Sequence, residues 1–566
     1  MQLFKKMKIE FQAVNWEARD LIDDDTGDTQ FVISAFGKTK DGQSVCVHTE
    51  FNPYFFVKNK ETGDCWQQQK NRDPDTGEMY DLADCVSNIV RKDIWGFQNN
   101  KKHRFTKIDF TSLENTKRVG YRMKKKGWKL YEFNVPPLLR FYHRTGIQPT
   151  GWMTVDINKS IDEDITNCDI EGWSDWRQMK PLDTSEQAPL VTTSFDIECY
   201  SASSQFPNSE NSEDSLFQIA CSSQRLGSTD VFSKVCFVLG EKVKANSDDY
   251  EIVACETEHK LIEAFRDYLD DVKCDILTGW NIFGFDLKYI VNRLNAPLRF
   301  GRLNEVPDSI GDMYEEKELS SSALGNNHLF ILQMPGIFVF DLYHHIRKEY
   351  KLDSYKLNSV AQHFLKDEKL DVSPHEIFDA WKTQDLDKLA RVAEYCVKDT
   401  SLPIDIITKT CSLINLLEMA KATWVPIKWL IERGQQIKVF SQVSKKAREL
   451  GFLIPSEPHI PGNQTYQGAT VLEPHRGVHW NPVTALDFKS LYPSIMRAHN
   501  LCYSTFIMNP AYDNLPGVEY ETFKVGSNNY RFAVNVPSVL PAILEELAEF
   551  RSQAKKDMKK QRKKEI

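Results

Sequence analysis

The chain lacks several features that would place it in a common class of protein. It has no apolar run near the roughly 20 residues that a membrane helix requires, and its start, MQLFKKMKIEFQAV, has no apolar stretch long enough for a secretory signal. Its 12 cysteines include no CxxC pair and no close Cys/His spacing, so neither zinc nor a disulfide framework is indicated. We therefore expect an intracellular protein with reduced thiols.

The net charge of −9 argues against a chain that binds nucleic acid through overall charge, but the charge is unevenly distributed. Bases are concentrated in Tyr121–Phe133, where they alternate with aromatic residues, and in Arg551–Ile566. Each stretch is either a solvated helix face or a nucleic-acid contact, and the second interpretation needs a catalytic site beside it. Hydrophobic residues at 41% and charged residues at 27% are ordinary for a globular protein.

The length of 566 residues predicts roughly three to five domains. Residues 1–188 alternate short apolar strands with turn clusters and predict a mostly β N-terminal domain. Residues 189–405 mix strands with helix-period segments, which predicts an α/β domain, and residues 406–455 predict a helical connector. A strand around Thr484–Phe488 and a final charged helix are expected after it.

The segment SFDIECY, residues 194–200, places two acids in a stretch that otherwise resembles a buried strand. The preceding residues are rich in the β-branched and aromatic side chains that favour strands. Because strand side chains alternate between faces, Asp196 and Glu198 point to the same side. Ionised carboxylates are costly there unless a cation lies between them, so the pair predicts a metal site.

Two later segments supply further candidate residues. In Asp275–Ile290 an apolar strand runs into Asn281 and Asp286 and then into a helix. Further on, Tyr395 and Asp399 are four residues apart, on one face of a predicted helix. Taken alone, the first acid is typical of a helix cap and the second pair of a solvated i,i+4 contact.

Together the four acids and the tyrosine form a chemically coherent set. Hard divalent cations prefer oxygen ligands, and two ions roughly 4 Å apart can activate a water and stabilise the leaving oxygen in phosphodiester hydrolysis. We therefore expect two Mg²⁺ or Mn²⁺ ions held by Asp196, Glu198, Asp286 and Asp399. The Tyr395 hydroxyl would orient the attacking water, because a phenol with an unperturbed pKa of about 10 remains protonated at neutral pH.

The ordered set DIE, NxxxFD and YxxxD resembles the three exonuclease motifs of the DEDDy 3′–5′ proofreading domain in family B DNA polymerases. Here the motifs stand at Asp196–Glu198, Asn281–Asp286 and Tyr395–Asp399. The resemblance implies a ribonuclease H-like exonuclease domain over residues 189–405 and a DNA-binding role for Asn281 and Phe285. Asp341, although it follows a predicted strand, is not one of the metal acids in that pattern.

The segment TALDFKSLYPSIM, which begins at Thr484, resembles polymerase motif A, DxxSLYPSI. The resemblance implies that Asp487 holds catalytic Mg²⁺, assisted by the carbonyl of Phe488. It also implies that turn amides cradle the incoming triphosphate, those of Ser490, Leu491 and Tyr492. The ring of Tyr492 would collide with a ribose 2′-OH and so select deoxynucleotides.

The resemblance extends to nearly the whole chain. TYQGATVLEP is similar to the YxGG/A motif that contacts template DNA, with Tyr466, Gly468 and Ala469 matching it. RGQQIKVFS and SVCVHTEFNPYFFVK resemble polymerase delta and the polymerases of large DNA viruses. The implied layout is a first palm segment at residues 456–544 and the start of the fingers at residues 545–566.

Motif B and motif C of the family do not occur before Ile566. We therefore interpret the chain as the N-terminal part of a longer or split polymerase, and from the isolated chain we expect exonuclease activity only. The alternatives are an autonomous 3′–5′ exonuclease, acting on DNA or RNA, and a non-enzymatic DNA-binding scaffold subunit. The triphosphate cradle argues against the first, and the intact acids argue against the second.

The main hypothesis also specifies partners and a location. They are primer–template DNA, deoxynucleoside triphosphates, a polypeptide that supplies motifs B and C, and a sliding clamp, with no membrane. The expected location is the nucleus or a viral replication site.

Overall fold

The computed structural model describes residues 6–22, 27–59, 70–72, 79–81, 85–158, 165–241, 243–321, 325–366, 372–456 and 470–562. The chain divides into two compact units. The first unit comprises Met1–Asp24, Gln30–Phe51 and Leu138–Val439, and the second comprises Asp25–Thr29, Asn52–Pro137 and Phe440–Ile566. Each unit therefore combines segments that are far apart in sequence. The domain boundaries expected from the sequence stay predictions.

Six strands form the first sheet of the first unit. Numbered in chain order, they are β1 (Lys6–Ile22), β2 (Thr29–Lys38), β3 (Ser44–Glu50), β10 (Trp152–Asn158), β11 (Ile170–Trp173) and β12 (Lys180–Leu182). Their order is β1-β2-β3-β11-β10-β12, and β1 also pairs with β10 in antiparallel register. The strand-rich character expected of the N-terminal region is confirmed.

A second six-stranded sheet of the first unit contains the SFDIECY segment. Its strands are β13 (Val191–Tyr200), β14 (Ser215–Arg225), β15 (Val231–Leu239), β16 (Glu251–Cys255), β17 (Ile276–Gly279) and β20 (Phe338–Asp341). Their order is β16-β15-β14-β13-β17-β20. Because β13, β17 and β20 are parallel, their carboxyl ends lie at the same edge of the sheet. A separate hairpin is formed by β18 (Tyr314–Ser321) and β19 (Gly325–Leu332).

Helices pack against this second sheet, which confirms the expected α/β fold. The helices of the first unit are α2 (Pro137–Thr145), α3 (Glu258–Asp271), α4 (Asp286–Asn292), α5 (Leu342–Glu349), α6 (Leu357–Leu365), α7 (Pro374–Thr383), α8 (Leu386–Thr410), α9 (Ser412–Thr423) and α10 (Ile427–Glu432). Phe265 of α3 packs on one core with Phe195 of β13. Ala393 of α8 packs on another core with Ala220 of β14, so the sheet is buried on both faces.

The second unit contains a five-stranded sheet in the order β21-β7-β8-β4-β9. Its strands are β4 (Tyr54–Lys58), β7 (Cys85–Asp93), β8 (Lys102–Asp109), β9 (Leu130–Tyr131) and β21 (Phe452–Leu453). One two-stranded sheet is formed by β5 (Lys70–Arg72) and β6 (Met79–Asp81), and another by β22 (Tyr520–Val525) and β23 (Asn528–Ala533). Its helices are α1 (Leu113–Lys125), α12 (Leu491–Ala498) and the final charged helix α13 (Val539–Arg562). The chain passes from the first unit to the second within α11 (Gln436–Glu449).

The strand expected around Thr484–Phe488 is wrong. Residues 483–488 have no regular secondary structure, and Leu486 is 92% exposed. A strand needs a neighbour to accept its backbone hydrogen bonds, and no strand of the described residues pairs with this segment. Among the described helices, none is both long and apolar enough to cross a membrane.

A buried ionic cluster joins the two sheets of the first unit. Asp275, just before β17, accepts hydrogen bonds from Arg302 at 2.7 Å and from the backbone N–H of Val191 at 2.8 Å. Its other partner is the ammonium of Lys38 in β2, at 2.9 Å. All three charged side chains are at most 4% exposed. Charges this deeply buried are tolerated only because they are paired and hydrogen-bonded.

Asp275→Ala should lower the free energy of unfolding by about 3 to 5 kcal/mol, because it leaves Lys38 and Arg302 buried without their counter-ion. Urea unfolding of the full chain measures the loss. The matched control is Asp175→Ala, which removes the exposed partner of Arg177 and should cost less than about 1 kcal/mol. Equal losses in the two variants would show that the buried cluster does not stabilise the unit.

Candidate active site

The pleat of β13 brings Asp196 and Glu198 to the same face of the sheet. One ligand atom from each, together with the sulfur of Cys396, lies within 4.8 Å of the others. The register with β14 shifts directly after Glu198, where Phe217 is an extra residue on the partner strand. This bulge increases the local twist of the strand, as bulges beside functional sites commonly do. Asp196 and Glu198, the two acids of the first motif, therefore form one side of a potential metal-binding site.

Asp286, the first residue of α4, lies against the same strand. The backbone N–H of Ile197, between the two acids of β13, donates a hydrogen bond to its carboxyl group. Burial, together with the nearby carboxyl of Asp341, raises the pKa of Asp286 to about 7. The strand, turn and helix expected at residues 275–290 are confirmed as β17 and α4.

Helix α8 contributes the third part of the site. Tyr395 and Asp399 are both buried and lie one turn apart, as expected for one helix face. Burial raises the pKa of the Tyr395 hydroxyl far above its usual value, and the carboxylates of Asp399, Glu198 and Asp196 raise it further. The hydroxyl therefore stays protonated at any physiological pH, and the neighbouring Cys396 of α8 contacts Asp196 of β13 directly.

The donor set fits hard divalent cations. Ionised carboxylates this close repel one another in a buried site, and cations between them remove the repulsion. The oxygens of Asp196, Glu198, Asp286 and Asp399 are ligands that Mg²⁺ and Mn²⁺ prefer.

Cys396 is a site residue that sequence reasoning missed. Its thiol donates to the backbone carbonyl of Asp196 at 3.7 Å. Burial and then the carboxylates of Asp196 and Glu198 raise its thiol pKa well above the usual value. The signal in the sequence is its place directly after Tyr395 on the predicted helix.

Asn281 and Phe285 lie in the turn between β17 and α4. Asn281 adopts a left-handed conformation with φ of 65°, which asparagine tolerates better than most residues. Phe285 is half-buried, and its ring contacts that of Phe206 at 4.9 Å between centroids. Phe206 is 76% exposed, so the two rings form an accessible aromatic surface beside Asp286.

Two family models match the chain. Residues 128–360 match the model described as DNA polymerase family B, exonuclease domain, and residues 425–566 match the model described as DNA polymerase family B. The chain belongs to DNA polymerase family B. The first match contains the β13 acids and Asp286, and the second contains the motif A segment.

Similar curated proteins are named as DNA polymerases. The DNA polymerase of Paramecium bursaria Chlorella virus NY2A is 34% identical over 97% of this chain and 61% of its own length. The DNA polymerase delta catalytic subunit of Drosophila melanogaster is 32% identical over 93% of this chain and 51% of its own length. The family B chain thus spans about half to three-fifths of these relatives.

A solved structure supports the fold of the family B chain. It is the family B DNA polymerase from the archaeon Pyrobaculum calidifontis, with a TM-score of 0.68 over 97% of this chain and 64% of the archaeal chain. The sequence identity is 19%, so the similarity concerns the fold alone.

The motif A residues of the family B chain lie in the second unit and are exposed. Phe488 and Tyr492 are 75% and 74% exposed, and Leu491, the first residue of α12, is 40% exposed. Ser490, just before α12, has a left-handed φ of 54°. Asp487 is exposed too, and within the described part of the chain it joins no cluster of potential metal ligands. Tyr466, Gly468 and Ala469 lie outside the described residues.

Asp196→Asn combined with Glu198→Gln should raise the thermal unfolding midpoint in the absence of divalent cations, because it removes two crowded buried charges. Mn²⁺ at one hundred times its dissociation constant should stabilise the parent by about 2.7 kcal/mol and the variant far less. Differential scanning fluorimetry with and without Mn²⁺ measures both effects. The control Asp248→Asn with Asp249→Asn changes two exposed acids and should behave as the parent does. Equal Mn²⁺ stabilisation of parent and site variant would exclude a metal site on β13.

Proposed function

We propose that this chain is part of a DNA-directed DNA polymerase of family B and that its first unit is a 3′–5′ exodeoxyribonuclease with a proofreading role in DNA replication. The observation that carries the proposal is the convergence of β13, α4 and α8 on one site. The proposed site residues on these three elements are Asp196, Glu198, Asp286, Tyr395 and Asp399, and the match of residues 128–360 to the family's exonuclease domain supports the proposal.

Four carboxylates would hold the divalent ions of this site, those of Asp196, Glu198, Asp286 and Asp399. Bound ions of this kind supply activation of water and neutralisation of charge on the scissile phosphate. Because the carboxylates are anchored on a strand and two helices within the packed first unit, they need little reorganisation during hydrolysis.

The remaining residues of the site have roles that their positions support. The Tyr395 hydroxyl, which burial keeps protonated, can donate a hydrogen bond that orients the attacking water. Asn281 and Phe285 border the site from the β17–α4 turn and can contact the terminal nucleotides of the DNA strand. Aromatic side chains stack on bases without requiring a particular sequence, which suits an editing enzyme.

The second unit contributes the proposed polymerase residues. Asp487 and the carbonyl of Phe488 would hold Mg²⁺, and the amides of Ser490, Leu491 and Tyr492 would contact the incoming deoxynucleoside triphosphate. The left-handed Ser490 at the start of α12 supports this role, because turns of this kind direct successive N–H groups toward an anion. Tyr466, Gly468 and Ala469 would contact template DNA.

We also propose the five domains expected from the sequence as the functional layout. They are the N-terminal domain at residues 1–188, the exonuclease at 189–405, the connector at 406–455, the first palm segment at 456–544 and the start of the fingers at 545–566. The proposed partners are primer–template DNA, deoxynucleoside triphosphates, a sliding clamp and a polypeptide that carries motifs B and C. The names of the viral and eukaryotic relatives support a nuclear or viral replication site.

Asp196→Ala with Glu198→Ala should reduce the hydrolysis of single-stranded DNA from its 3′ end by about a thousandfold or more, because the metal site is lost. A 5′-labelled oligonucleotide with Mg²⁺, resolved on a sequencing gel, measures the shortening. Asp248→Ala with Asp249→Ala should retain parental activity. Parental activity in the β13 double variant would show that hydrolysis occurs elsewhere.

Tyr395→Phe should retain the parental Mn²⁺ affinity but lose about 10- to 100-fold in rate, because the attacking water is no longer oriented. The change removes only a hydroxyl, so the helix packing of α8 is preserved. Single-turnover hydrolysis at saturating Mg²⁺ measures the rate. An unchanged rate would remove the tyrosine from the mechanism.

Asp487→Ala should abolish primer extension by an assembly that contains this chain and a polypeptide with motifs B and C, while 3′-end hydrolysis continues. The reason is the loss of a carboxylate that binds the metal and its triphosphate. Glu519→Gln, at an exposed acid of the same unit, is the control and should extend normally. Undiminished extension by the Asp487 variant would contradict the proposed palm site.

A further inference from the structure

Asp341 is a buried acid that the proposed hydrolytic chemistry does not use. It is the last residue of β20 and lies beside Gly279, the last residue of β17, in parallel register. Only 1% of it is exposed. Asp341 therefore lies next to the turn that leads from β17 into α4.

The Asp341 carboxylate is held by three backbone N–H donors. Asn281 and Tyr343 donate to Oδ1, and Phe283 donates to Oδ2, each at 3.0 Å. The bond from Tyr343 caps the start of α5. The other two bonds come from the β17–α4 turn, so one side chain ties that turn to the neighbouring strand. The nearby ring of His344 lies 3.9 Å from Oδ2.

The turn has a shape that local sequence alone does not favour. Asn281 has a positive φ, and a Cβ added at Gly279 would lie 2.5 Å from Ile282 and 2.7 Å from the carbonyl oxygen of Phe195. Phe283 is buried, so its N–H would lose water without gaining a partner if Asp341 were absent. The turn therefore depends on a partner from another strand.

Hydrogen bonds transmit the position of the turn directly to α4. The N–H groups of Gly284 and Phe285 bond to the carbonyl of Asn281, and the N–H of Leu287 bonds to the carbonyl of Ile282. Asp286 lies between these residues. A shift of the turn would consequently move the Asp286 carboxyl away from the β13 acids.

We infer that Asp341 is a positioning residue, whose carboxylate holds the Asn281–Phe283 turn so that Asp286 and Phe285 face the β13 acids and the DNA 3′ end. The inference rests on the proposed exonuclease function for its catalytic consequence. Its structural part, the hold on the turn, is testable without catalysis.

The Asp341→Asn variant distinguishes the hold of Asp341 on the turn from its capping of α5. Asparagine keeps the oxygen that accepts from Asn281 and Tyr343 and is itself a favourable N-cap residue. Its amide nitrogen replaces Oδ2 and meets the N–H of Phe283, so the hydrogen bond to the turn is lost. The variant should loosen the turn while α5 remains capped.

The experiment compares parent and variant in the full chain by three measurements. Hydrogen exchange at Phe283 should become about tenfold faster, and the Mn²⁺ dissociation constant should rise about tenfold, because a buried hydrogen bond is replaced by an unsatisfied donor. The kcat for 3′-end hydrolysis should fall by a larger factor than KM for DNA rises. Asp341→Ser, which keeps a capping oxygen but cannot reach both turn amides, should show the same changes.

Asp93→Asn is the matched control. Asp93 is also buried, at 6% exposed, and accepts hydrogen bonds from the backbone N–H of Trp95 at 3.1 Å and from the Tyr131 hydroxyl at 2.7 Å, in the second unit, which holds none of the proposed exonuclease ligands. This variant should speed exchange near Asp93 and keep the parental Mn²⁺ affinity and kcat.

Two results would overturn the inference. Unchanged exchange at Phe283 would show that Asp341 does not hold the turn, and faster exchange with parental Mn²⁺ affinity and kcat would show that the turn does not position the site. A parent that binds Mn²⁺ but hydrolyses no DNA would instead contradict the proposed function, and the exchange and Mn²⁺ measurements would still decide the role of Asp341.

Discussion

The carboxylates of Asp196 and Glu198 lie side by side in a largely buried region of the first unit, with those of Asp286 and Asp399 nearby, and like charges there repel strongly. The surrounding fold keeps them together despite that repulsion. Apolar cores on both faces of the second sheet hold β13 between α3 and α8, and their burial supplies the free energy that opposes the charge repulsion. The raised pKa of Asp286 shows that burial disfavours its ionised form, and bound cations would remove much of that free-energy cost. A site of this kind lowers the stability of the metal-free protein, and the same carboxylates allow tight metal binding.

The same sheet contains buried acids with different partners and therefore different roles. Asp275, before the start of β17, is neutralised by Arg302 and Lys38 and joins two sheets. Asp341, beside the end of β17, has three backbone N–H partners and lies beneath a turn. Asp286, after that turn, accepts from Ile197, the residue between the two acids of β13. A buried acid that is paired with Lys and Arg side chains suits a structural role, and one held by backbone amides suits a positioning role. A buried acid with carboxylates nearby suits a metal site.

The two units differ in how far the described residues complete their proposed sites. In the first unit, the proposed exonuclease residues lie on a strand and two helices and are mostly buried. In the second unit, the motif A segment is exposed, and no strand of the described part of the chain pairs with it. The chain spans about half to three-fifths of the length of its family relatives. Motif A therefore remains a proposal that rests on family membership and on the turn at Ser490.

Local rules of the sequence determined much of the proposed exonuclease site. Strand alternation predicted that Asp196 and Glu198 share a face, and helical spacing predicted the same for Tyr395 and Asp399, because both periods follow from backbone geometry. Tertiary structure alone decided the roles of Cys396, Asp341 and the Asp275 cluster, since each depends on contacts between segments far apart in the chain. It also decided against a strand at Thr484–Phe488. Side-chain periodicity is local, whereas the pairing of a strand and the burial of a charge depend on which distant segments lie beside them.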